Sequence, residues 1–330
     1  MHKKTGVTSR KILMVAVLVT SGTPDTLNTN QRLRKNITHG FTELGIRGIE
    51  LGIDQVPRML EDKNIELLLI TGSIADASIN LNHIVRVARL RGTLVAFWMH
   101  DDPYEFDFHW RLRDLDCHIF SNEPNCIDAY PRKCCVQPLA LAASPLDLVP
   151  RQNNKSRAKR YDLGFCGVAF PQRITIMRQL KEAGFSIACW GDGWPSELNG
   201  STNKRLGPIG LEILYSDCQF VLNLGRDINI ANQHHQIAPS MPGPRTFETA
   251  LHGVVQLYIG QSPRIERFYG PKEGVLQVDS IKEVAENLNR AKADPLWLEN
   301  LGKAAATHTK HHHLYRHRCH DLLAALTAKA

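Results

Sequence analysis

No stretch of the 330-residue chain is apolar for long enough to span a bilayer; the longest candidate, Ile12 to Thr20, is about half the necessary length. The charged flank KKTGVTSRK before it imitates a signal peptide, but no small-residue cleavage site follows. The run is therefore expected to be a first buried strand that ends at the turn around Gly22. Cysteine is thinly spread over positions 117, 126, 134, 135, 166, 189, 218 and 319, with no CxxC pair. That excludes a disulfide scaffold and predicts reduced thiols in a cytoplasmic protein. Also absent are a GxGxxG dinucleotide fingerprint, a repeat of fixed period, and low complexity outside a histidine-rich tail. Charge is not extreme: 40 basic against 33 acidic residues give +7, which permits a nucleotide, an anionic membrane surface or nucleic acid as partner and selects none of them. A hydrophobic fraction of 43% with 22% charged residues belongs to a globular chain.

What the chain does have is alternation. Strand-like runs at 12–19, 45–52, 65–72, 92–99 and 117–122 are separated by helical stretches, and a second series follows at 161–168, 185–191, 218–225, 254–260 and 274–279. Alternation of this kind predicts parallel sheets wrapped by helices. The expected fold is α/β, with two Rossmann-like αβα domains facing each other across a cleft, and the length suits two such units. The first covers 1–150 and the second 151–305, with a helical segment over 306–330. Between the two units lies RQNNKSRAKR (151–160), five basic residues with no acid, which reads first as a solvated linker and alternatively as a nucleic-acid patch.

The segment PGPRTFETALHGVVQLYIG (242–260) carries the most chemistry. Pro242, Gly243 and Pro244 keep the chain extended, Thr246 is expected to cap a helix, and Gly253 to end it before a buried strand. Arg245 and Glu248, three apart, reach one site at the helix start. A helix N-terminus and an arginine suit a diphosphate, and a glutamate suits the two hydroxyls of a ribose. The alternative is an ordinary αβ unit in which Arg245 and Glu248 pair with each other.

Other motifs fall at strand ends, where open α/β sheets bind ligands. After GFCGV, Gly164 and Gly167 let a phosphate approach the backbone, and Arg173 opens the next helix. LNLGR ends a strand with Asn223 as a hydrogen-bonding candidate and Arg226 as a phosphate candidate, against a capping Asn and a salt-bridged Arg. CWGDGW places Trp190 beside the flexible Gly191, with a packing tryptophan as the simpler reading. HDDP supplies His100, Asp101 and Asp102 as candidate acceptor-side bases, against a capped turn. Six histidines between 308 and 320 suggest zinc, but no cysteine or carboxylate frames a four-ligand set, so no metal site is expected.

The strings AFWMHDDP, YDLGFCGVAFPQR, CWGDGW, FVLNLGR, PGPRTFETALHG, GPKEGV and HTKHHHLYRHR occur in this order, and in them the chain resembles the CgeB-like glycosyltransferases, a group with GT-B architecture. The resemblance implies sugar transfer from a nucleoside diphosphate sugar to a hydroxyl-bearing acceptor, with no resident cofactor and generally no metal. It implies a donor site mainly on the second domain, formed by Gly167, Arg173, Trp190, Gly191, Asn223, Arg226, Arg245, Thr246 and Glu248, with the CWGDGW region close to the base and Glu248 on the ribose. It further implies that the last helix crosses back to the first domain. Many retaining GT-B enzymes carry another glutamate eight positions before the ribose glutamate. Here that position is Ser240. The departure leaves the stereochemical course open and supports the rival of a noncatalytic GT-B scaffold. The pI of about 9.0 motivates a nucleic-acid-modifying enzyme as a third reading. The acceptor is open among protein, glycan, small molecule and nucleic acid.

Overall fold

Branched and apolar runs form the strands, and their burial on both faces explains why they alternate so little. The computed structural model describes residues 16–25, 28–62, 64–149, 159–198, 203–226, 231–259 and 264–328. Most of the basic 151–160 segment, and residues 12–15 of the first apolar run, lie outside them. The first sheet contains β1 (Ala16–Ser21), β2 (Arg47–Glu50), β3 (Leu67–Thr71), β4 (Leu94–Met99), β5 (His118–Ser121) and β6 (Cys135–Pro138), in the order β2-β1-β3-β4-β5-β6. The second contains β7 (Tyr161–Cys166), β8 (Ile187–Trp190), β9 (Cys218–Leu224), β10 (Gln256–Ile259) and β11 (Val275–Val278), in the order β11-β10-β9-β7-β8. Every pairing is parallel. Both are doubly wound, and the strand order reverses at β1/β3 and at β7/β9, so the crevice at the strands' carboxyl ends is the place for a ligand.

Among the described residues, ten of the eleven strands coincide with apolar runs readable in the sequence. β6 does not: Cys-Val-Gln-Pro is mostly half-buried, too short to show a period, and closes on the proline that an edge strand tolerates.

Helices α1 (Asn28–Glu43), α2 (Val56–Asp62) and α3 (Leu81–Leu90) flank the first sheet. One face, with Leu68, Ile70, Phe97 and Ile119, packs on Val56 and Leu60 of α2 and Ile84 of α3. The other, with Val17, Leu69, Trp98 and Phe120, packs on Ile37 and Phe41 of α1 and on residues from the far end of the chain. Those come from α9 (Tyr315–Thr327), which supplies Tyr315, Cys319, Leu322 and Leu326. Gly40 permits this contact, since a Cβ there would lie 2.9 Å from the Tyr315 carbonyl carbon. The second sheet is flanked by α4 (Pro171–Glu182), α5 (Pro208–Asp217), α6 (Pro244–Leu251), α7 (Ile281–Ala293) and α8 (Pro295–His312). Between α8 and α9 the chain makes a bridge to the first domain: Ala143 N–H donates to His313 O and Tyr315 N–H to Ala143 O, each at 3.0 Å.

Candidate functional site

The loops at the carboxyl ends of the two sheets meet. On the first-domain side, the turn after β4 presents His100, Asp101 and Asp102 in different states. Asp102 is 3% exposed, and its Oδ2 accepts from Ser121 Oγ at 2.5 Å and from Tyr130 OH at 2.7 Å. Burial pushes its pKa up to about 7 against the pull of those two bonds. Of the two readings left open for Asp102, the structural one fits this geometry: its carboxyl is a buried tie between the ends of β4 and β5.

Asp101 faces the second domain instead. Arg226 Nη1 stands 3.9 Å from its Oδ1, and the Arg226 guanidinium lies 4.5 Å from the Tyr104 ring centroid. Although 37% of its side chain meets solvent, enclosure between the domains raises the Asp101 pKa, and Arg226 opposes the rise.

His100 Nδ1 lies 3.0 Å from Trp98 O. A carbonyl only accepts, so Nδ1 carries the proton and Nε2 is the bare nitrogen. That Nε2 is enclosed and has no hydrogen-bond partner. Burial lowers the imidazole pKa to about 4, so the ring is neutral near pH 7. Asn122, one residue past β5, likewise has a buried Oδ1 without a partner, while its Nδ2 donates to Asp102 O at 3.4 Å.

On the second-domain side, the loops after β7 and β8 are knitted together. Gly167 N–H donates to Trp190 O at 2.9 Å, and Trp194 Nε1 donates to Gly167 O at 2.8 Å. Gly191 has φ +130°, and a Cβ there would sit 2.1 Å from Gly167 O, so only glycine serves. Trp190 is half-buried and borders an open depression of about 440 Å³ lined by Lys204 to Gly210.

Arg173 stands beside these loops, but its guanidinium points at backbone. Nε donates to Gly225 O at 3.0 Å, Nη1 to Val168 O at 3.0 Å and Nη2 to Leu224 O at 2.9 Å. Without a ligand, Arg173, expected at a phosphate, staples the loop after β7 to the end of β9. Asn223 is drawn inward too, donating to Thr246 Oγ1 at 2.6 Å and Gln256 Oε1 at 3.0 Å. Thr246 does not cap. Proline presets the first helical residue at 244, Gly243 is the N-cap with no side-chain bond, and Thr246 is fully buried, accepting from Asn223. Arg245 Nη1 and Glu248 Oε2 are 2.9 Å apart on α6, both half-buried, so the two proposed ligands face one another.

Sequence reasoning missed what joins the halves. Residues 231–241, which lead from β9 toward α6, form a strap that lies on the first domain. Ala231 N–H donates to Tyr104 O at 2.8 Å and Asp107 N–H to Ala231 O at 2.6 Å. The Asp107 carboxylate takes His234 N–H at 3.1 Å and meets His235 Nδ1 at 2.6 Å. Glu123, 1% exposed, accepts at Oε2 from Ser240 N–H (2.6 Å) and Met241 N–H (3.1 Å), and at Oε1 from Ser240 Oγ (2.6 Å) and Asn125 N–H (3.0 Å). A carboxylate of the first domain thus occupies the donors at Ser240, the position at which this chain departs from the two-glutamate pattern noted above. The partners are more than 100 residues apart, and no local pattern signals such a pairing.

The histidine-rich tail is knitted into the structure: His308 Nε2 and His313 Nε2 stand 2.8 and 2.9 Å from Phe268 O, and His308 Nδ1 lies 2.9 Å from Glu273 Oε1. Among the described residues no group of three His, Cys, Asp or Glu is arranged to hold a metal, and no helix is long and apolar enough to cross a membrane.

Residues 173–324 match the family model described as glycosyl transferase-like. No curated protein matches the chain. Among solved structures, an alpha-glucosyltransferase in complex with UDP and a 13-mer DNA containing a central A:G mismatch is similar with a TM-score of 0.66 at 11% identity, covering 95% of this chain and 99% of that one. Sucrose-phosphate synthase from Thermosynechococcus elongatus is similar at 0.60 and 10% identity, covering 96% and 100%. An Anabaena protein in complex with UDP-glucose is similar at 0.57 and 10% identity, covering 95% and 99%. At these identities the likeness is one of fold, and the fold is GT-B.

Proposed function

We propose that the protein is a glycosyltransferase of CgeB-like type that moves a sugar from a nucleoside diphosphate sugar to an acceptor hydroxyl. The observation that carries this reading is the approach of Asp101 and Arg226 at 3.9 Å, which sets an acceptor-side carboxylate against a donor-side cation across the cleft. The uncapped start of α6 points its free N–H groups at the diphosphate, and Arg245 and Arg226 share its charge. Glu248 turns from Arg245 to the ribose hydroxyls when the phosphates take over the arginine. The raised pKa of Asp101 suits it to accept the acceptor's proton. His100, neutral with a pKa of about 4, is too weak a base for that step, and its bare Nε2 with Asn122 Oδ1 receives substrate hydroxyls. Trp190, Gly191 and the depression beside them border the base. We place the reaction in the cytoplasm, which the thinly spread cysteines with no CxxC pair suit.

The rival scaffold reading draws on the closed Arg245–Glu248 pair and on Ser240. Thermal-shift screening of nucleotide sugars, followed by product analysis with water and with hydroxylated acceptors, separates the two. A donor at a hundred times its Kd adds about 2.7 kcal/mol of stability. Glu248→Ala should weaken nucleoside diphosphate binding by roughly 1–3 kcal/mol in calorimetry while leaving the fold intact. Unchanged affinity removes the ribose role, and donor binding without turnover selects the scaffold.

A further inference from the structure

Two of the eight thiols stand side by side in the first domain. Cys117 immediately precedes β5 and Cys134 immediately precedes β6, and the parallel register pairs His118 with Cys135. Cys135 N–H donates to Cys117 O at 3.1 Å, which extends the ladder to this level. Side chains alternate along a strand, so Cys117 shares a face with Ile119, and Cys134 with Val136. Both cysteines accordingly pack in the same core cluster as those two residues. Neighbouring strands lie about 4.8 Å apart, inside the roughly 4.4–6.8 Å between α-carbons that a disulfide spans. Their accessibility differs: Cys117 is 4% exposed, while Cys134 is half-buried, with Sγ 3.4 Å from Leu115 O.

We propose that Cys117 and Cys134 form a thiol–disulfide modification site that reacts with a low-molecular-weight disulfide and, once oxidised, clasps the acceptor-side wall of the cleft. Cys134, the reachable thiol, attacks the small disulfide, forming a mixed disulfide and releasing one small thiol with its proton. Cys117 then attacks the Cys134 sulfur, forming the internal disulfide and releasing the second small thiol. The two cysteines lose two electrons and two protons, and the small disulfide gains them. The neighbouring Cys117 thiol lowers the pKa of Cys134, as an attacking thiol requires, whereas the contact with Cys134 and burial raise that of Cys117. The pair brackets residues 118–133, which carry Ser121, Glu123, Asn125 and Tyr130, the groups that hold Asp102 and the strap. Transient, redox-sensing pairs are the usual form of disulfide in a reducing compartment. The thiol chemistry stands independently of sugar transfer; only an effect on turnover rests on that reading.

The experiment equilibrates the full chain with mixtures of reduced and oxidised glutathione, alkylates the remaining thiols under denaturing conditions and maps the peptides. The expected result is loss of two of the eight thiols, a cross-link joining the peptides of Cys117 and Cys134, and a thermal midpoint that rises on oxidation and returns with excess dithiol. Cys117→Ser should stop at a glutathione adduct on Cys134, and Cys134→Ser should leave Cys117 unmodified. Eight free thiols at every ratio, a cross-link elsewhere, or a stable adduct on Cys134 in the wild-type chain would each overturn the proposal, and the map of the wild-type chain decides even if a variant fails to fold. An unchanged midpoint in the cross-linked protein would refute the clasp.

Discussion

Replacing Glu123 by alanine removes the carboxylate that accepts from the Ser240 and Met241 amides. Four donors lose their acceptor: the Ser240 and Met241 amides, the Ser240 hydroxyl and the Asn125 amide. Met241 and Asn125 are partly exposed and can turn to water, but Ser240 is 5% exposed, so the loss of the Glu123 acceptor falls most heavily on its amide and hydroxyl. A buried unsatisfied group costs about 1–3 kcal/mol, and water admitted to the space of the lost side chain recovers part of this. We expect Glu123→Ala to lower unfolding stability by about 2–4 kcal/mol, and Glu123→Gln, which keeps one acceptor oxygen, by about half as much. The strap leads directly to α6, so loss of its anchor should also weaken nucleoside diphosphate binding. Urea melts and calorimetry measure the two effects. A loss below about 1 kcal/mol in Glu123→Ala, with unchanged binding, would refute the view that this carboxylate holds the strap to the first domain.

Asp102→Asn should flatten part of the pH profile of stability. Below pH 4 the folded and unfolded chains both hold the proton; between 4 and about 7 only the folded chain does, so the wild type loses up to about 1.4 kcal/mol per pH unit as pH rises. The variant's advantage should therefore grow from pH 4 to 7 and then level off, and parallel urea-melt profiles would refute the raised carboxyl. Arg173→Ala should destabilise the fold by about 1–3 kcal/mol through the lost bonds to carbonyls and weaken nucleoside and nucleoside diphosphate alike, as calorimetry would show; a loss confined to the diphosphate would return it to phosphate binding. Turnover should survive EDTA, because arginines and a helix start oppose the leaving diphosphate; activity lost to chelator and restored by a divalent ion would refute that donor chemistry.

The fold was legible because it is written locally. Apolar runs such as Leu67–Thr71 and Leu94–Met99 announce buried parallel strands, and a Gly-Pro start with Gly253 at its end announces α6. The site was legible only as far as position along the chain: the candidate residues do fall at strand ends, yet their orientation was hidden. Whether Arg173 points at a phosphate or at Leu224 O, and whether Asp102 faces the cleft or Tyr130, depends on which segments lie against it. The strap was invisible for the same reason, since Glu123, which caps the turn at Pro124 in the structure, also serves Ser240 from more than 100 residues away.

The packing of α9 against α1 has a consequence for synthesis. Ile37, Phe41 and Trp98 are covered by Tyr315, Cys319, Leu322 and Leu326, which the ribosome makes after every strand of both sheets. Chains generally fold from the N-terminus as they emerge. Here the first domain emerges early with one face of its sheet covered by α1 alone, and the rest of that face waits for the second domain to be translated. The acceptor side of the cleft is thus begun first and completed last, and until then part of its apolar face is open to chaperones.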